Sequence, residues 1–284
     1  MNPVRIAIAQ MTSGIDPAAN LAAIAAAAQK ARGRGAEMLF LPEMALLLDR
    51  DRQRSAQHAR REALSPWPDA LAAIARENGM WLHAGSAPFA SDADDMGARR
   101  VNRSLIFRPD GTLAARYDKI HMFDVDLPTG ESWRESAAYD GGTTVALVDT
   151  PLGMLGLSIC FDLRFPELYG TLAARGATVL AVPAAFTVPT GAAHWHVLLR
   201  ARAIETGCYV IAAAQGGTHA DGRATYGHSL VIDPWGGIVA EGPGGDDGGD
   251  APTLIMADID LDAVAKARSA IPLPRSRATR RTAL

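Results

Sequence analysis

The sequence predicts an α/β protein in which two mixed β-sheets stack on each other and helices cover them. Helix-like and strand-like segments alternate along the chain, and several neighbouring strands are separated only by short turns, so parallel and antiparallel pairs must occur together. About ten or more strands are expected, which are easier to bury as two stacked sheets than as one open sheet. No break in composition divides the 284 residues, so we expect a single domain over 1–284, with a core over about 4–272 and a basic C-terminal tail over 273–284.

The first elements form a β-α-β unit. In residues 4–10, VRIAIAQ, β-branched side chains recur at alternate positions, which is typical of a strand. The Ala-rich segment 17–32 predicts a helix, because Asp16 can cap it and Pro17 suits its first turn. Residues 36–43 return to a strand. The next elements are a helix over 68–78, a strand within 80–89, and a hairpin of 102–108 and 113–117 around the turn PDGT.

A long segment without clean periodicity, residues 119–142, follows this hairpin and is rich in turn formers, so we predict a long functional loop. The remaining elements are a hairpin of 143–150 and 154–159, a helix over 165–175 closed by Gly176, a strand over 177–184, a helix over 191–206, a strand over 208–215, a hairpin within 228–241, a strand over 253–260 and a helix over 261–269. The acidic, glycine-rich segment 241–252 is interpreted as a surface loop, because a strand and a helix follow it.

The composition favours a globular protein over a nucleic-acid or membrane protein. Hydrophobic residues make up 48% of the chain and charged residues 21%, and the formal net charge is −3. This balance gives no reason to expect nucleic acid or an anionic membrane as a partner. The N-terminal apolar run is too short for a signal peptide. Two cysteines, Cys160 and Cys208, are too few for a disulfide framework and fit a reducing cytosol, so we expect a cytoplasmic protein.

Three ionisable residues each lie just past the end of a predicted strand. Glu43 follows MLFLP, Lys119 follows AARYD, and Cys160 follows MLGLSI. Loops at strand ends are where α/β folds assemble their functional sites. Taken singly, each residue has an ordinary alternative role: a charge at a helix start, a solvated lysine or a cysteine in the core.

Cys160 is the most informative of the three. A strand that stops at the thiol and is followed closely by a helix resembles a nucleophile elbow, in which backbone N–H groups face the substrate oxygen. A thiol needs a base, which Glu43 could supply if it is partly desolvated, and Lys119 could hold the charge of the oxyanion. A histidine base is the alternative that the residues leave open, with candidates His121, His194, His196 and His228.

Other motifs do not point to a cofactor or a metal. Cys160 and Arg164 have the spacing C-x3-R, which is wrong for the phosphate-binding loop C-x5-R, and no glycine-rich phosphate motif stands between a strand and a helix. The segment HWH at 194–196 could suggest a metal, but no Cys or His recurs at ligand spacing. We therefore expect no metal and no cofactor.

The three motifs together resemble the nitrilase superfamily of carbon-nitrogen hydrolases. FLPEMAL, RYDKIHMFDVD and SICFDLRFPELY match the glutamate, lysine and cysteine motifs of that family in the same order, and the resemblance extends from about Val4 to Pro272. AHWHVLLRARAIETGCYVIAAAQ and YGHSLVIDPWGGIV resemble the Nit branch. The resemblance implies a four-layer αββα sandwich and a homodimer or higher homo-oligomer, paired across one helical face with the C-terminal segment reaching over the partner.

The resemblance also implies roles for the site residues. Glu43 would be the general base, Lys119 the oxyanion stabiliser and Cys160 the nucleophile. Glu135 would be the second glutamate that orients the lysine and the substrate, and Glu131, four residues earlier, is the competing candidate.

The resemblance further implies a set of pocket residues. The backbone N–H of Phe161 would join Lys119 in holding the oxyanion. Phe186 and Thr187 match a segment that lines the pocket in the family, although packing at a strand end is an equally good interpretation. Arg164 and His121 are further candidates for substrate contact. One departure is His196, where the corresponding family segment reads HWE.

These roles predict an amidase that acts on a small carboxylated amide through a thioester and releases an amine or ammonia. Within the Nit branch the segments look most like the amidases that act on deaminated glutathione. The alternatives are an ω-amidase acting on 2-oxoglutaramate, an N-carbamoyl amino acid hydrolase or a nitrilase. A binding protein that keeps the fold without turnover is the alternative outside enzymes.

Overall fold

The computed structural model describes residues 3–92, 99–127, 130, 132–245 and 251–272. Its helices are α1 Pro17–Gly33, α2 Arg52–Ala56, α3 Trp67–Asn78, α4 Pro166–Ala174, α5 Val188–Thr206 and α6 Asp262–Ala270. Its strands are β1 Val4–Gln10, β2 Met38–Phe40, β3 Trp81–His83, β4 Ala87–Ala90, β5 Arg100–Phe107, β6 Leu113–Asp118, β7 Asp124–Asp126, β8 Ser132–Arg134, β9 Leu147–Thr150, β10 Gly153–Leu157, β11 Val179–Ala181, β12 Tyr209–Ala212, β13 Gly216–Thr218, β14 Ala224–Tyr226, β15 Leu230–Ile232, β16 Ile238–Glu241 and β17 Thr253–Ile259.

Most of the predicted elements are present. The side chain of Asp16 accepts a hydrogen bond from the N–H of Ala18 and caps α1, as predicted. β1 and β2 pair in parallel around α1, which confirms the β-α-β unit, and the hairpins β5–β6, β9–β10 and β15–β16 are all antiparallel.

Three predictions about elements were wrong in detail. The strand expected within 80–89 is divided into β3 and β4. The long loop predicted over 119–142 contains a short hairpin, β7–β8. The pair β13–β14 was missed, because these short strands are rich in glycine and polar residues and lack an apolar alternation.

Two mixed sheets form the centre of the fold. The first has the strand order β17-β1-β2-β3-β5-β4, with β6 paired to β5. The second has the order β16-β15-β12-β11-β10-β9. Each sheet has parallel strands at its centre and antiparallel strands towards its edges, which follows from helical crossovers in the middle and hairpins outside.

Alternation along β1 shows how the layers are built. Ile6 and Ile8 are buried against residues of the second sheet, including Leu157. Ala7 and Ala9 point the other way and pack with α1 and α3. On the far side of the second sheet, side chains of α4 and α5 complete the same core. The order of layers is helix, sheet, sheet, helix, so the predicted αββα sandwich is confirmed.

Among the described residues, none of the helices has the length and apolar character needed to cross a bilayer. The basic tail predicted over 273–284 and the acidic part of the 241–252 loop at 246–250 lie outside the described residues.

Candidate active site

The three candidate residues meet at one end of the two sheets. Glu43 comes three residues after β2, Lys119 directly follows β6, and Cys160 comes three residues after β10. Strand ends of both sheets therefore supply the site. Two backbone positions there are unusual, because Cys160 and Met44 have φ values of 46° and 55°, in the left-handed region that side chains other than glycine rarely adopt.

Both carboxylate oxygens of Glu43 have hydrogen-bond donors. Lys119 Nζ lies 3.0 Å from Oε1, and Asn102 Nδ2 donates to the same oxygen at 2.9 Å. The backbone N–H of Ala185 donates to Oε2 at 3.0 Å. The side chain of Gln215 donates to the backbone carbonyl of Glu43 at 3.0 Å. These contacts fix the position of a carboxylate that is almost completely buried.

Lys119 is held between two carboxylates. Its Nζ lies 2.8 Å from Glu135 Oε2 and 3.0 Å from Glu43 Oε1. Burial disfavours the charge of this lysine, but the nearby charges of Glu135 and Glu43 outweigh burial and raise its pKa well above the ordinary value. Lys119 is therefore a fixed ammonium. Glu135 is anchored by the N–H of Phe123, which donates to Oε2 at 2.6 Å, whereas Glu131 lies outside the described residues.

Cys160 is buried beside this charge network, with 8% of its surface exposed. Burial and the neighbouring charge of Glu43 raise the pKa of its thiol well above the ordinary value, against the opposing effect of Lys119. The thiol is therefore neutral at rest and lies next to the carboxylate of Glu43. Cys160 opens a 3₁₀ turn that ends at Arg164, and Phe161 is in the first turn, where backbone N–H groups have no acceptor within the helix.

A buried aspartate, Asp162, ties the turn to the neighbouring strands. Its carboxylate accepts hydrogen bonds from the Tyr117 hydroxyl at 2.7 Å and from the N–H groups of Ile159 at 2.9 Å and His121 at 3.0 Å. The His121 ring also contacts Asp162 at 2.7 Å and stacks on Phe165 with ring centroids 3.6 Å apart. His121, predicted to touch substrate, is thus directed to Asp162 and does not line the cavity described next.

A cavity of about 600 Å³ opens onto Cys160, within the usual range of roughly 300–1,000 Å³ for small-molecule sites. Phe186, Thr187 and Arg164 line it together with Glu43, Lys119 and Glu135. Among the described residues that line it there is no histidine. The alternative of a histidine base therefore has no support from this arrangement.

Arginine side chains give the cavity positive charge. The guanidinium of Arg164 lies over the rings of Phe161 and Phe186, at 5.7 Å and 5.4 Å from their centroids, and contacts His194 Nδ1 at 3.3 Å. Arg100 is buried and donates to the Ser55 hydroxyl at 2.7 Å. Within the described part of the chain, neither arginine forms an ion pair with an acidic side chain. Arg100 also donates to the Arg52 carbonyl at 2.8 Å, whereas the partly exposed guanidinium of Arg164 is open to an anionic ligand in the cavity.

Several residues of the site were not identified from the sequence. Asn102 lies in β5, a buried strand in which half of the residues are polar, so this side chain did not stand out in the sequence. Asp162 lies two residues beyond Cys160, and this closeness to the candidate nucleophile was the available signal. Ala185 acts through its backbone, and the sequence gives no signal for such a contact.

Comparison with known proteins identifies the class to which this fold and site belong. The family model for carbon-nitrogen hydrolases matches residues 5–269. The chain belongs to the carbon-nitrogen hydrolase family, which confirms the resemblance found in the sequence and the expectation of a hydrolase.

Individual relatives give a finer comparison. Deaminated glutathione amidase of Yersinia enterocolitica is 38% identical over 275 residues, covering 96% of this chain and 92% of the relative. The structure of Nit3 from Saccharomyces cerevisiae, described as a member of branch 10 of the nitrilase superfamily, has a TM-score of 0.83 and 28% identity, covering 98% of this chain and 97% of that one.

A third similar structure is a mutant of the amidase from Nesterenkonia sp. AN1, described as showing the result of Michael addition of acrylamide at the active site cysteine. It has a TM-score of 0.76 and 27% identity, covering 95% of this chain and 98% of that one. The family and the amidase-named relatives support amide hydrolysis as the reaction of this chain.

Proposed function

We propose that Cys160 is the nucleophile of an amidase in which Glu43 is the base and Lys119 the oxyanion stabiliser. The observation that carries this proposal is that the neutral, buried thiol shares one cavity with Glu43 and with the fixed ammonium of Lys119, which lies 3.0 Å from Glu43. In the first half-reaction Glu43 takes the thiol proton and the sulfur attacks the amide carbonyl carbon. Lys119 and the N–H of Phe161 hold the oxyanion, and the C–N bond breaks as the leaving amine takes the proton from Glu43.

The second half-reaction reuses the same groups. Glu43 takes a proton from water, the hydroxide attacks the thioester carbonyl, and the C–S bond breaks. The thiolate recovers its proton from Glu43. Glu135 acts on this cycle through Lys119, because it fixes the position of the ammonium without facing the reacting carbon in the proposed arrangement.

The substrate that we propose is an elongated amide with a carboxylate at each end, of which deaminated glutathione is the best match. Arg164 and Arg100 both line the cavity without an acidic partner among the described residues, and guanidinium groups bind carboxylates in a bidentate fashion. Phe186 and Thr187 would line the space for the acyl chain. The relative from Yersinia enterocolitica, named for this substrate, supports the same choice.

The nucleophile is tested with the two cysteines of the chain. Cys160→Ala should abolish hydrolysis and the acyl adduct that mass spectrometry detects after rapid quenching. Cys208→Ala is the matched control, because Cys208 is completely buried and its sulfur contacts the backbone carbonyl of Ala177. Product release by Cys160→Ala, or an adduct on Cys208, would contradict the scheme.

The substrate is tested by comparing kcat/KM for deaminated glutathione, 2-oxoglutaramate, an N-carbamoyl amino acid, a simple nitrile and a simple aliphatic amide. We expect deaminated glutathione to be hydrolysed best, with release of cysteinylglycine. A large preference for 2-oxoglutaramate would indicate an ω-amidase, and a large preference for the nitrile or the carbamoyl compound would overturn the substrate class.

We also propose that residues 4–272 act as one catalytic domain that pairs into a homodimer. One core cluster runs from Ile6 to Val264, which supports a single folding unit. Three large apolar side chains on and beside α5 are exposed to solvent: Val197 by 68%, Ile204 by 49% and Trp235 by 61%. Burying such a face is a common basis of subunit pairing. Val197→Asp should shift the mass measured by light scattering from dimer to monomer, and an unchanged dimer would exclude this face.

A further inference from the structure

We propose that His196, His228 and Glu241 form a binding site for one divalent transition-metal ion, with Zn²⁺ as the best match. His196 lies on α5, His228 lies between β14 and β15, and Glu241 ends β16. One ligand atom from each side chain lies within 4.8 Å of the other two. None of the three lines the active-site cavity, so the proposal does not depend on the proposed hydrolytic mechanism.

Two of the three distances within the cluster are close to those of a coordination shell, and the two imidazole nitrogens lie within 4.8 Å of each other. Glu241 Oε1 lies 3.0 Å from His196 Nε2 and 2.7 Å from His228 Nδ1. Zinc binds imidazole nitrogen and carboxylate oxygen at about 2.0–2.2 Å, so neighbouring ligands of one ion lie about 2.9–3.4 Å apart. The two nitrogen–oxygen distances need to change by well under about 1 Å. The two imidazoles are about one quarter exposed, so their rings have room to rotate.

The chemistry of the donors selects the metal. Two imidazoles and one carboxylate suit Zn²⁺, Co²⁺, Ni²⁺ and Cu²⁺, whereas Ca²⁺ and Mg²⁺ prefer shells made only of oxygen. Glu241 offers a carboxylate oxygen as the third ligand beside the two imidazoles. Water can complete a tetrahedral shell, as in other sites with three protein ligands.

The backbone at His228 supports a built site. Its φ of 53° is in the left-handed region, and the other two non-glycine residues with positive φ among the described residues, Met44 and Cys160, both belong to the active site. A conformation of this kind is strained and persists where the surroundings enforce it. Here the Trp195 indole donates to the His228 carbonyl at 2.7 Å, and the His228 N–H donates to Pro243 at 2.9 Å. These contacts direct the imidazole towards Glu241.

An ion at this site would join three separate segments of the fold. It would tie α5 to the end of β16 and to the β14–β15 connection, next to Trp195. The Trp195 ring packs on Phe186, which lines the active-site cavity, with centroids 4.8 Å apart. Sequence spacing could not reveal the site, because His228 and Glu241 lie 32 and 45 residues beyond His196.

The test uses the full-length protein carrying Cys160→Ala. This substitution is made because the Cys160 thiol lines the active-site cavity and could itself bind metal. Calorimetric titration with Zn²⁺ at neutral pH should show saturable binding of one ion per chain. His196→Gln, His228→Gln and Glu241→Gln should each weaken binding by roughly tenfold or more. His58→Gln is the matched control and should bind as the parent does, because His58 lies outside the cluster.

A second measurement identifies the ligands. Co²⁺ bound by imidazole and carboxylate should give visible absorption bands in the parent that Zn²⁺ displaces, and His196→Gln should lose them. Circular dichroism without metal shows whether each variant is folded. If another variant is unfolded, His196→Gln decides the matter, because His196 lies on the half-exposed side of α5. Absence of saturable binding, or binding retained by all three variants, would show that these residues are only a hydrogen-bonded cluster.

Discussion

Replacing Glu135 with glutamine tests how the buried ammonium of Lys119 is held. At the 2.8 Å separation of the two charged atoms, the Coulomb attraction is about 6 kcal/mol for an effective dielectric constant of about 20, before desolvation is counted. Glu43 remains as a partner of Lys119, and the new amide oxygen still accepts one hydrogen bond. We therefore expect a net loss of about 2–3 kcal/mol of transition-state stabilisation, which lowers kcat by roughly 30- to 150-fold.

Steady-state kinetics with deaminated glutathione measure this loss, and the result should appear in kcat with little change in KM. Glu131→Gln is the matched control, because it makes the same substitution in the same segment at the candidate that the sequence left open. Glu135→Asp should recover part of the activity if a carboxylate is what positions the ammonium. Activity of Glu135→Gln within threefold of the parent, or an equal loss in Glu131→Gln, would refute the assignment.

Three further predictions concern the same region. Asn102→Leu removes the donor 2.9 Å from Glu43 Oε1, so kcat should fall roughly tenfold at unchanged KM in steady-state assays. Arg164→Gln should raise KM for a dicarboxylate amide by roughly 10- to 100-fold and leave KM for a neutral amide unchanged, if the arginine binds a carboxylate. Burial lowers the pKa of His83 to about 3. Below about pH 6.5, therefore, only the unfolded chain binds a proton at this histidine. The free energy of unfolding falls by about 1.4 kcal/mol for each unit by which the pH is lowered. His83→Phe should remove this pH dependence. The free energies of unfolding measured with urea at roughly pH 7 and pH 5 should then differ by about 2 kcal/mol less than they do in the parent.

Much of the fold was predictable because the elements that build it carry their signals locally. β1 and α1 have clear periodicity, and Asp16 and Pro17 mark where the helix begins. The hairpin β13–β14 has no such signal, since it is short and is held by pairing with residues distant in the chain. One of its neighbours is Met11, which bridges to Gln215. Such pairing depends on tertiary structure and cannot be deduced from local sequence.

The candidate site was predictable to a similar extent. Glu43, Lys119 and Cys160 follow strands, and the family motifs point to the same positions. Their mutual distances depend on how the two sheets stack, which no single segment encodes. The contact of Ala185 with Glu43 and the meeting of His196 with His228 are of this kind, so only the structure reveals them.

The charges of the site indicate how a thiol with a raised pKa would serve as the nucleophile in the proposed mechanism. Two carboxylates face one ammonium beside the thiol, so these three groups together carry one net negative charge, and the Cys160 thiol keeps its proton. In the proposed mechanism that proton moves to Glu43 as the sulfur attacks, so the negative charge passes from the carboxylate to the sulfur and then to the oxyanion. The net charge of the site is the same at each stage, which avoids the cost of creating a new charge in a buried place. In this scheme Lys119 remains an ammonium throughout, because Glu135 stays paired with it when Glu43 is protonated. The scheme therefore requires the second glutamate at the moment when the first has lost its charge.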